Sequence, residues 1–437
     1  MSPPSRLRRG TFFPSASFVQ QAALAALAIL ASFILSGCET RKSTSLSTDP
    51  VAGIPDDPAE ARGSGDMAKA TTLGGPVGGL TGAELARFEA GLDEFTELET
   101  VEDGLGPVFN EAGCVTCHDA PIGGTNGRLE TRFGKLDRGD FDPLDRLGGS
   151  LMQDHAIGTV RKGRNKFTFV PEVIPRRANT SALRVTTSLF GLGLVDAVPD
   201  AAFLALARSQ ARNTPSTRGT PHMVTEIRTG ALRVGRFGWK AQVPTLHQFS
   251  GDAYVNEMGI TNPEFPKENA PQGDFDALAF NPLPALNDDG EGVVLFADFM
   301  TLLGPPPRGP RNSQTEAGEQ VFKQIGCVNC HTSTFTTGDS PVMALSHKVF
   351  QPFSDFLLHD MGNLGDRIVQ GNARGRQMRT APLWGLRARP LLLHDGRART
   401  PEAAILAHDG QGSASRRDFA RLSGRDRQAL LAFLKSL

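Results

Sequence analysis

Two short stretches of this chain are equipped for chemistry. Cys114-Val-Thr-Cys117-His118 and Cys327-Val-Asn-Cys330-His331 each hold two thiols three positions apart with an imidazole beside the second. Two intervening residues let both thiols reach the vinyl-derived carbons on one edge of a porphyrin, while the adjacent histidine swings beneath the ring to bind iron. The pattern reads as two covalently bound haem c groups, with His118 and His331 as iron ligands. A zinc site would need a second ligand pair, and a redox dithiol has no use for the following histidine.

Haem attachment to such motifs takes place outside the cytoplasmic membrane, so an export signal is expected. Arg6, Arg8 and Arg9 precede an apolar run of 14 residues from Ala22 to Leu35, and residues 1–37 read as a signal peptide. A spanning helix needs about 20 apolar residues, which disfavours a permanent anchor helix. Leu35-Ser36-Gly37-Cys38 resembles the bacterial lipoprotein processing box, and that resemblance implies an acylated Cys38 and a periplasmic protein lipid-anchored to a membrane. Cys38 and the two motifs then account for all five cysteines, leaving none for a disulfide. Loss of the three leader arginines takes the formal charge from −1 to near −4, and nothing basic suggests nucleic acid.

The 437 residues, 39% hydrophobic and 21% charged, suit a soluble globular protein of two or three domains. Residues 38–79 are rich in Ser, Thr, Pro, Gly and Asp without apolar periodicity, as a flexible tether would be. Helical signals begin at Thr81-Gly-Ala-Glu84, a capping box followed by Leu85, Phe88 and Leu92 on one face. Ser313 to Glu316 repeats the device ahead of Val321, Phe322 and Ile325, and Ser423 to Asp426 opens a closing helix with Leu430, Phe433, Leu434 and Leu437. Each haem motif shares the run-in Val-Phe, three residues, Gly-Cys. The intervening stretch, with β-like segments such as Phe167-Thr-Phe-Val170, is rich in Gly and Pro.

Leu393-His394-Asp-Gly-Arg-Ala-Arg-Thr-Pro401, ending in His408, resembles the C-terminal signature of bacterial di-haem cytochrome c peroxidases and the related methylamine-utilisation maturase. Gly235-Arg-Phe-Gly-Trp-Lys-Ala-Gln-Val-Pro-Thr-Leu246, Met258-Gly-Ile-Thr261 and Ser354-Asp-Phe-Leu-Leu-His-Asp-Met-Gly362 are similar to the di-haem oxidoreductase family described as peroxidases, from about residue 100 to the C-terminus. In the relatives the distal ligand of the electron-receiving haem lies fourteen residues beyond the histidine of the His-Asp-Gly motif, as Met or Tyr. The resemblance places His408 there, and a His/His-ligated haem has a lower potential than a His/Met one.

Phe237 to Pro244 and His394 to Pro401 share Lys/Arg-Ala and Pro at matching positions, which suggests two related halves. The fourteen-residue offset lands on Gly251 in the first half, so the first haem is expected to be open on its distal side. Peroxide must bind iron before its O–O bond breaks, and heterolysis needs a proton shuttle. Asn256-Glu257-Met258-Gly259 resembles the peroxidases' Glu-Met-Gly segment, implying Glu257 as distal acid/base and Gln248 as the distal glutamine. His155, His222 and His247 are alternative sixth ligands at the first haem. Trp239 is the favoured relay between haems, with Trp384 the other tryptophan; Tyr254 is expected to pack near the first pocket and His359 to line a haem pocket.

The resulting reading is a mainly α protein of two cytochrome c-like domains: residues 80–311, enlarged by loops and short strands, and residues 312–437. The expected activity is reduction of peroxide or a similar small oxidant at the first haem, with electrons entering at the second from a donor cytochrome, copper protein or quinol-linked donor. Alternatives are a di-haem electron carrier without turnover and a maturase-like substrate oxidase.

Overall fold

The computed structural model describes residues 67–68 and 72–437. The signal peptide, Cys38 and most of the tether lie outside the described residues.

Helices α1 (Gly82–Thr96), α2 (Leu192–Asp196), α3 (Asp200–Asn213), α4 (Leu246–Met258), α5 (Glu291–Leu302), α6 (Ser313–Gln324), α7 (Pro401–Ala407), α8 (Ser413–Arg421) and α9 (Gly424–Lys435) are joined by long loops and short strands. Two helix pairs frame the molecule, α1 on α5 and α6 on α9. Each crosses at a glycine. A Cβ on Gly91 would lie 2.9 Å from the Phe299 nitrogen, and one on Gly318 would lie 2.6 Å from the Ala429 carbonyl carbon, so only hydrogen lets the backbones approach. Aromatic rings fill the crossings: Phe95 stands 4.5 Å from Phe299, and Phe322 stands 5.3 Å from Phe433.

The caps follow from local hydrogen bonding. Thr81 and Glu84 form the expected box, the Glu84 carboxylate accepting from the Thr81 nitrogen at 2.7 Å. Ser423 accepts from the Asp426 nitrogen at 3.1 Å and opens α9. At α6 the cap is one residue earlier than the Ser313/Glu316 reading. Asn312 is extended and accepts from the Thr315 nitrogen at 3.0 Å, which leaves Ser313 inside the first turn.

Strand β1 (Val108–Phe109) pairs with β5 (His155–Ala156) through Phe109 and His155. Beyond the first motif, β2 (Leu129–Asp137) is flanked by β3 (Asp140–Asp142) and β4 (Leu151–Met152) and pairs antiparallel with β8 (Thr180–Val185) from Leu129/Val185 to Gly134/Thr180. Strands β6 (Thr159–Lys162) and β7 (Asn165–Thr168) form a hairpin at the β-like segment. The shared run-in is thus a strand before the first motif and the last turn of α6 before the second.

One apolar cluster runs from Val77 and Phe88 through Phe203, Phe237 and Phe296 to Phe335, Phe350, Phe356 and Trp384. A second gathers Val321, Phe322, Phe353, Phe419, Phe433 and Leu437. The larger cluster crosses residue 312, so apolar packing is continuous over the expected boundary.

Candidate functional site

Two cavities open where the motifs lie. The first, about 190 Å³, is walled by Cys114, Cys117 and His118, by Glu130 and Arg132 of β2, by Asp252, Tyr254 and Glu257 of α4, and by Met258 and Met300. The motif forms a single tight turn, Cys114–Thr116, after Gly113. His118 Nδ1 donates to the Gly124 carbonyl at 3.0 Å, which leaves Nε2 free to bind a metal. Burial pushes this imidazole down to about 4 and the Cys114 thiol up to about 12, so both are neutral at pH 7.

Glu257 is half-buried in the wall of this cavity, near the end of α4. Asn110 Nδ2 donates to its Oε2 at 2.6 Å. Burial first, and the neighbouring Glu130 charge second, push its carboxyl up to about 8. Burial opposes ionisation of Glu130 too, but Arg132, with Nε 2.9 Å from Glu130 Oε1, outweighs it and holds Glu130 below the ordinary range. Asp252, one turn away, is pushed up to about 6 by burial. The arrangement favours the proton on Glu257 and the charge on Glu130.

Other expected residues fall elsewhere. Gln248 is outside the lining, its Oε1 accepting from the Ile227 nitrogen at 3.0 Å, because the first turn of α4 faces that strand connection; Gln242 lines the cavity instead. Gly251 packs toward Asn262 and Phe265, not into the cavity. The offset fails there because α4 starts two residues later relative to the repeat than α7 does, Thr245 and Thr400 being the respective caps. His118 is the one histidine in the lining. His155 pairs with Asp154 at 2.7 Å and stacks on Phe109, His222 donates to the Lys240 carbonyl at 2.8 Å, and His247 pairs with Glu264 at 2.7 Å. Tyr254 does line the pocket, donating to Glu99 at 2.7 Å.

The second cavity, about 220 Å³, is walled by Cys327, Cys330 and His331, by His408, Met361, His359 and His394, and by Arg379 and Arg389. Gly326 leaves α6 in the left-handed region at φ +79°, which turns the chain into the motif. His331 Nδ1 donates to the Phe353 carbonyl at 2.9 Å, and His408, at the end of α7, donates Nδ1 to the Ala404 carbonyl at 2.8 Å. Both therefore keep Nε2 free in the same cavity. His359 lines it as expected, held by Asp355 at 2.8 Å and 3.5 Å from Cys330 Sγ.

Trp239 lines both cavities, its indole Nε1 donating to the Val185 carbonyl at 2.8 Å and its ring edge-on to His394. The following residue anchors it: Lys240 is fully buried and its Nζ meets Asp366 at 2.8 Å and the Gln377 carbonyl at 2.7 Å. Trp384 belongs instead to the core, 5.8 Å from Phe350.

The second cavity has the polarity a haem requires. Arg379 is buried and Arg389 half-buried, burial pushes each guanidinium down to about 10, and the buried Nε of Arg389 has no partner. Cations lining a largely enclosed cavity suit an anionic cofactor such as a haem with its propionates. The four motif cysteines are free thiols in the cavity walls. Among the described residues no group of three His, Cys, Asp or Glu side chains converges on a metal site.

Sequence reasoning missed Glu130, Arg132, Arg379 and Arg389. Glu130-Thr-Arg132 carries a period-two signal that puts both side chains on one strand face. The arginines carry no local signal, since isolated cations read as surface.

The family of di-haem oxidoreductases, putative peroxidases, matches residues 177–437, which takes in the second motif, Trp239, Glu257 and His408 but begins after Cys114 to His118. Among solved structures the chain is similar to a MauG-like protein associated with microbial copper homeostasis, at 13% identity and TM-score 0.39 over 84% of this chain and 94% of that one. It is similar to the dihaem peroxidase BthA of Burkholderia thailandensis at 14% identity and TM-score 0.36, over 85% and 92%. Hydrazine synthase of Kuenenia stuttgartiensis matches at 15% identity and TM-score 0.32, over 85% and 96%. No curated protein matches the chain. With more than half of its length matched by the family, this chain belongs to the di-haem oxidoreductases and is an oxidoreductase.

Proposed function

We propose that the protein is an exported, lipid-anchored periplasmic peroxidase that carries haem c on Cys114/Cys117 and on Cys327/Cys330. Peroxide is reduced in the first cavity and electrons enter through the second. The observation that carries this reading is Glu257, a half-buried carboxyl in the same cavity wall as His118, whose surroundings favour its protonated form. A bound haem supplies iron that exchanges electrons with peroxide.

The chain supplies the rest. His118 and His331 would hold the two haem irons through Nε2, each ring being fixed by its Nδ1–H bond to a backbone carbonyl. His408, in the wall of the second cavity, would be the further protein ligand of the second haem. Glu257 gives its proton to the departing oxygen, so that peroxide, two electrons and two protons become two waters. Trp239 lies between the cavities as the relay. The pairs α1/α5 and α6/α9 are the frames of two cytochrome c-like halves, residues 80–311 and 312–437. The donor is a small cytochrome, a copper protein or a quinol-linked carrier matched to a bis-histidine haem.

A second reading, electron transfer without turnover, is favoured by Met258 and Met300, whose thioethers line the first cavity and could complete its iron. Low-temperature electron paramagnetic resonance of the oxidised and half-reduced holo-protein separates the two. A high-spin ferric signal altered by peroxide beside a low-spin bis-histidine signal supports the peroxidase; two low-spin signals indifferent to peroxide would leave an electron carrier.

A further inference from the structure

We propose that Glu130 is the proton-accepting partner of Glu257, so that the two carboxyls work as one proton-holding pair in the first cavity. The inference rests on the peroxidase reading and adds to it a residue from the β2 strand.

Glu130 and Glu257 come from distant elements, β2 and α4, yet both line the same cavity, where each carboxyl acts on the ionisation of the other. Arg132, two residues along β2 on the same face, grips both Glu130 oxygens, with Nε at 2.9 Å and Nη2 at 3.3 Å. Asn110 Nδ2 holds Glu257 Oε2 from the other side at 2.6 Å. Further groups facing the pair are Arg184 on β8, Asp252 on α4 and Cys117 of the first motif. Two carboxylates facing one enclosed cavity resist ionising together, which favours one proton held between them. Arg132 decides its place: the charge rests on Glu130 and the proton on Glu257.

That division suits a step a lone carboxylic acid performs poorly. To break the O–O bond of hydrogen peroxide, the oxygen that stays must lose its proton and the oxygen that leaves must gain one. A protonated Glu257 cannot accept a proton unless it passes its own onward at the same moment, and Glu130 is the acceptor within reach. The proton then returns through Glu257 to the departing oxygen, which leaves as water, and the pair regains its starting state. The two electrons come from the donor through the haems, and the two protons of the second water come from solvent.

A plain Glu130/Arg132 ion pair would stabilise the strand without touching the proton on Glu257, so the test reads that proton directly. Infrared spectra of the ferric holo-protein across neutral pH should contain a protonated carboxyl band that Glu257→Gln removes. In Glu130→Gln the new amide donates to Glu257 and favours its ionised form, so the band should disappear at lower pH than in the wild type. Stopped-flow mixing with hydrogen peroxide should show a loss on the order of 100-fold in Glu130→Gln, largely restored in Glu130→Asp. A Glu130→Gln protein with the wild-type band, titration and rate would overturn the pairing. Wild-type protein that ignores peroxide while keeping a Glu130-dependent band would instead sink the peroxidase reading and leave the shared proton standing.

Discussion

Replacing Gly318 by alanine probes the frame that carries the second motif. The new methyl would meet the Ala429 carbonyl at 2.6 Å from its carbon and Phe433 Cβ at 2.7 Å, inside contact distance, and the carbonyl is backbone that cannot rotate away. Helix α6 must therefore move off α9, loosening Phe322 from Phe433 and the cluster around them. Overpacking of this kind costs about 1–3 kcal/mol. Alanine recovers about 1 kcal/mol of helix propensity over glycine. Because rigid atoms are struck, the upper half of the overpacking range applies, and a net loss of about 1–2 kcal/mol is expected. Gly82→Ala, in the first turn of α1 with nothing within 4 Å of the new Cβ, is the control and should be neutral or slightly stabilising. Guanidinium unfolding of both holo-proteins, followed by far-ultraviolet circular dichroism, measures the difference. A Gly318→Ala midpoint at or above the wild-type value would refute the close backbone crossing.

Three further outcomes are expected. Burial raises Glu257 in the folded protein to about 8, so its contribution to stability is fully present below the unfolded carboxyl value near 4.5 and is lost as pH rises through about 8; unfolding of wild type and Glu257→Gln compared across that window should show a shallower slope in the variant, and equal slopes would refute the raised carboxyl. His408→Ala should convert the second haem from low-spin to a form with an open sixth position and raise its potential, read by visible spectra and redox titration, while an unchanged spectrum would remove His408 from the iron. Trp239→Phe loses the 2.8 Å bond to Val185, a change of about 1 kcal/mol in stability, and should slow equilibration between the haems after flash reduction without altering either spectrum; equal rates would exclude the indole as relay.

Which parts of the site were legible follows from how local each signal is. The motif cysteines and histidines lie within five residues of one another, so their shared place in a cavity wall was readable from spacing. His408 was singled out by resemblance to the relatives' fourteen-residue offset, and its side chain does line the second cavity. The same offset failed in the first half, where the caps of α4 and α7 sit at different places in the repeat and Gly251 turns toward Asn262. Gln248 failed for the same reason, one turn of helix being enough to aim a side chain at Ile227 instead of the cavity.

By itself the sequence determined the di-haem oxidoreductase family and the helices that begin at capping residues, because each is carried by motifs of residues a few positions apart. The tertiary structure decided everything that requires distant segments to meet. Glu130 finds Glu257 across 127 positions of sequence, from β2 to α4. Trp239 reaches both cavities because the buried Lys240 beside it is held by Asp366 and by the carbonyls of the 374–377 loop. Arg379 and Arg389 become cavity-lining cations only when the fold takes their water away and leaves backbone carbonyls of Gly238, Thr380 and Trp384 in its place. Pairing across such distances is set by the packing of the whole core, which no local spacing encodes.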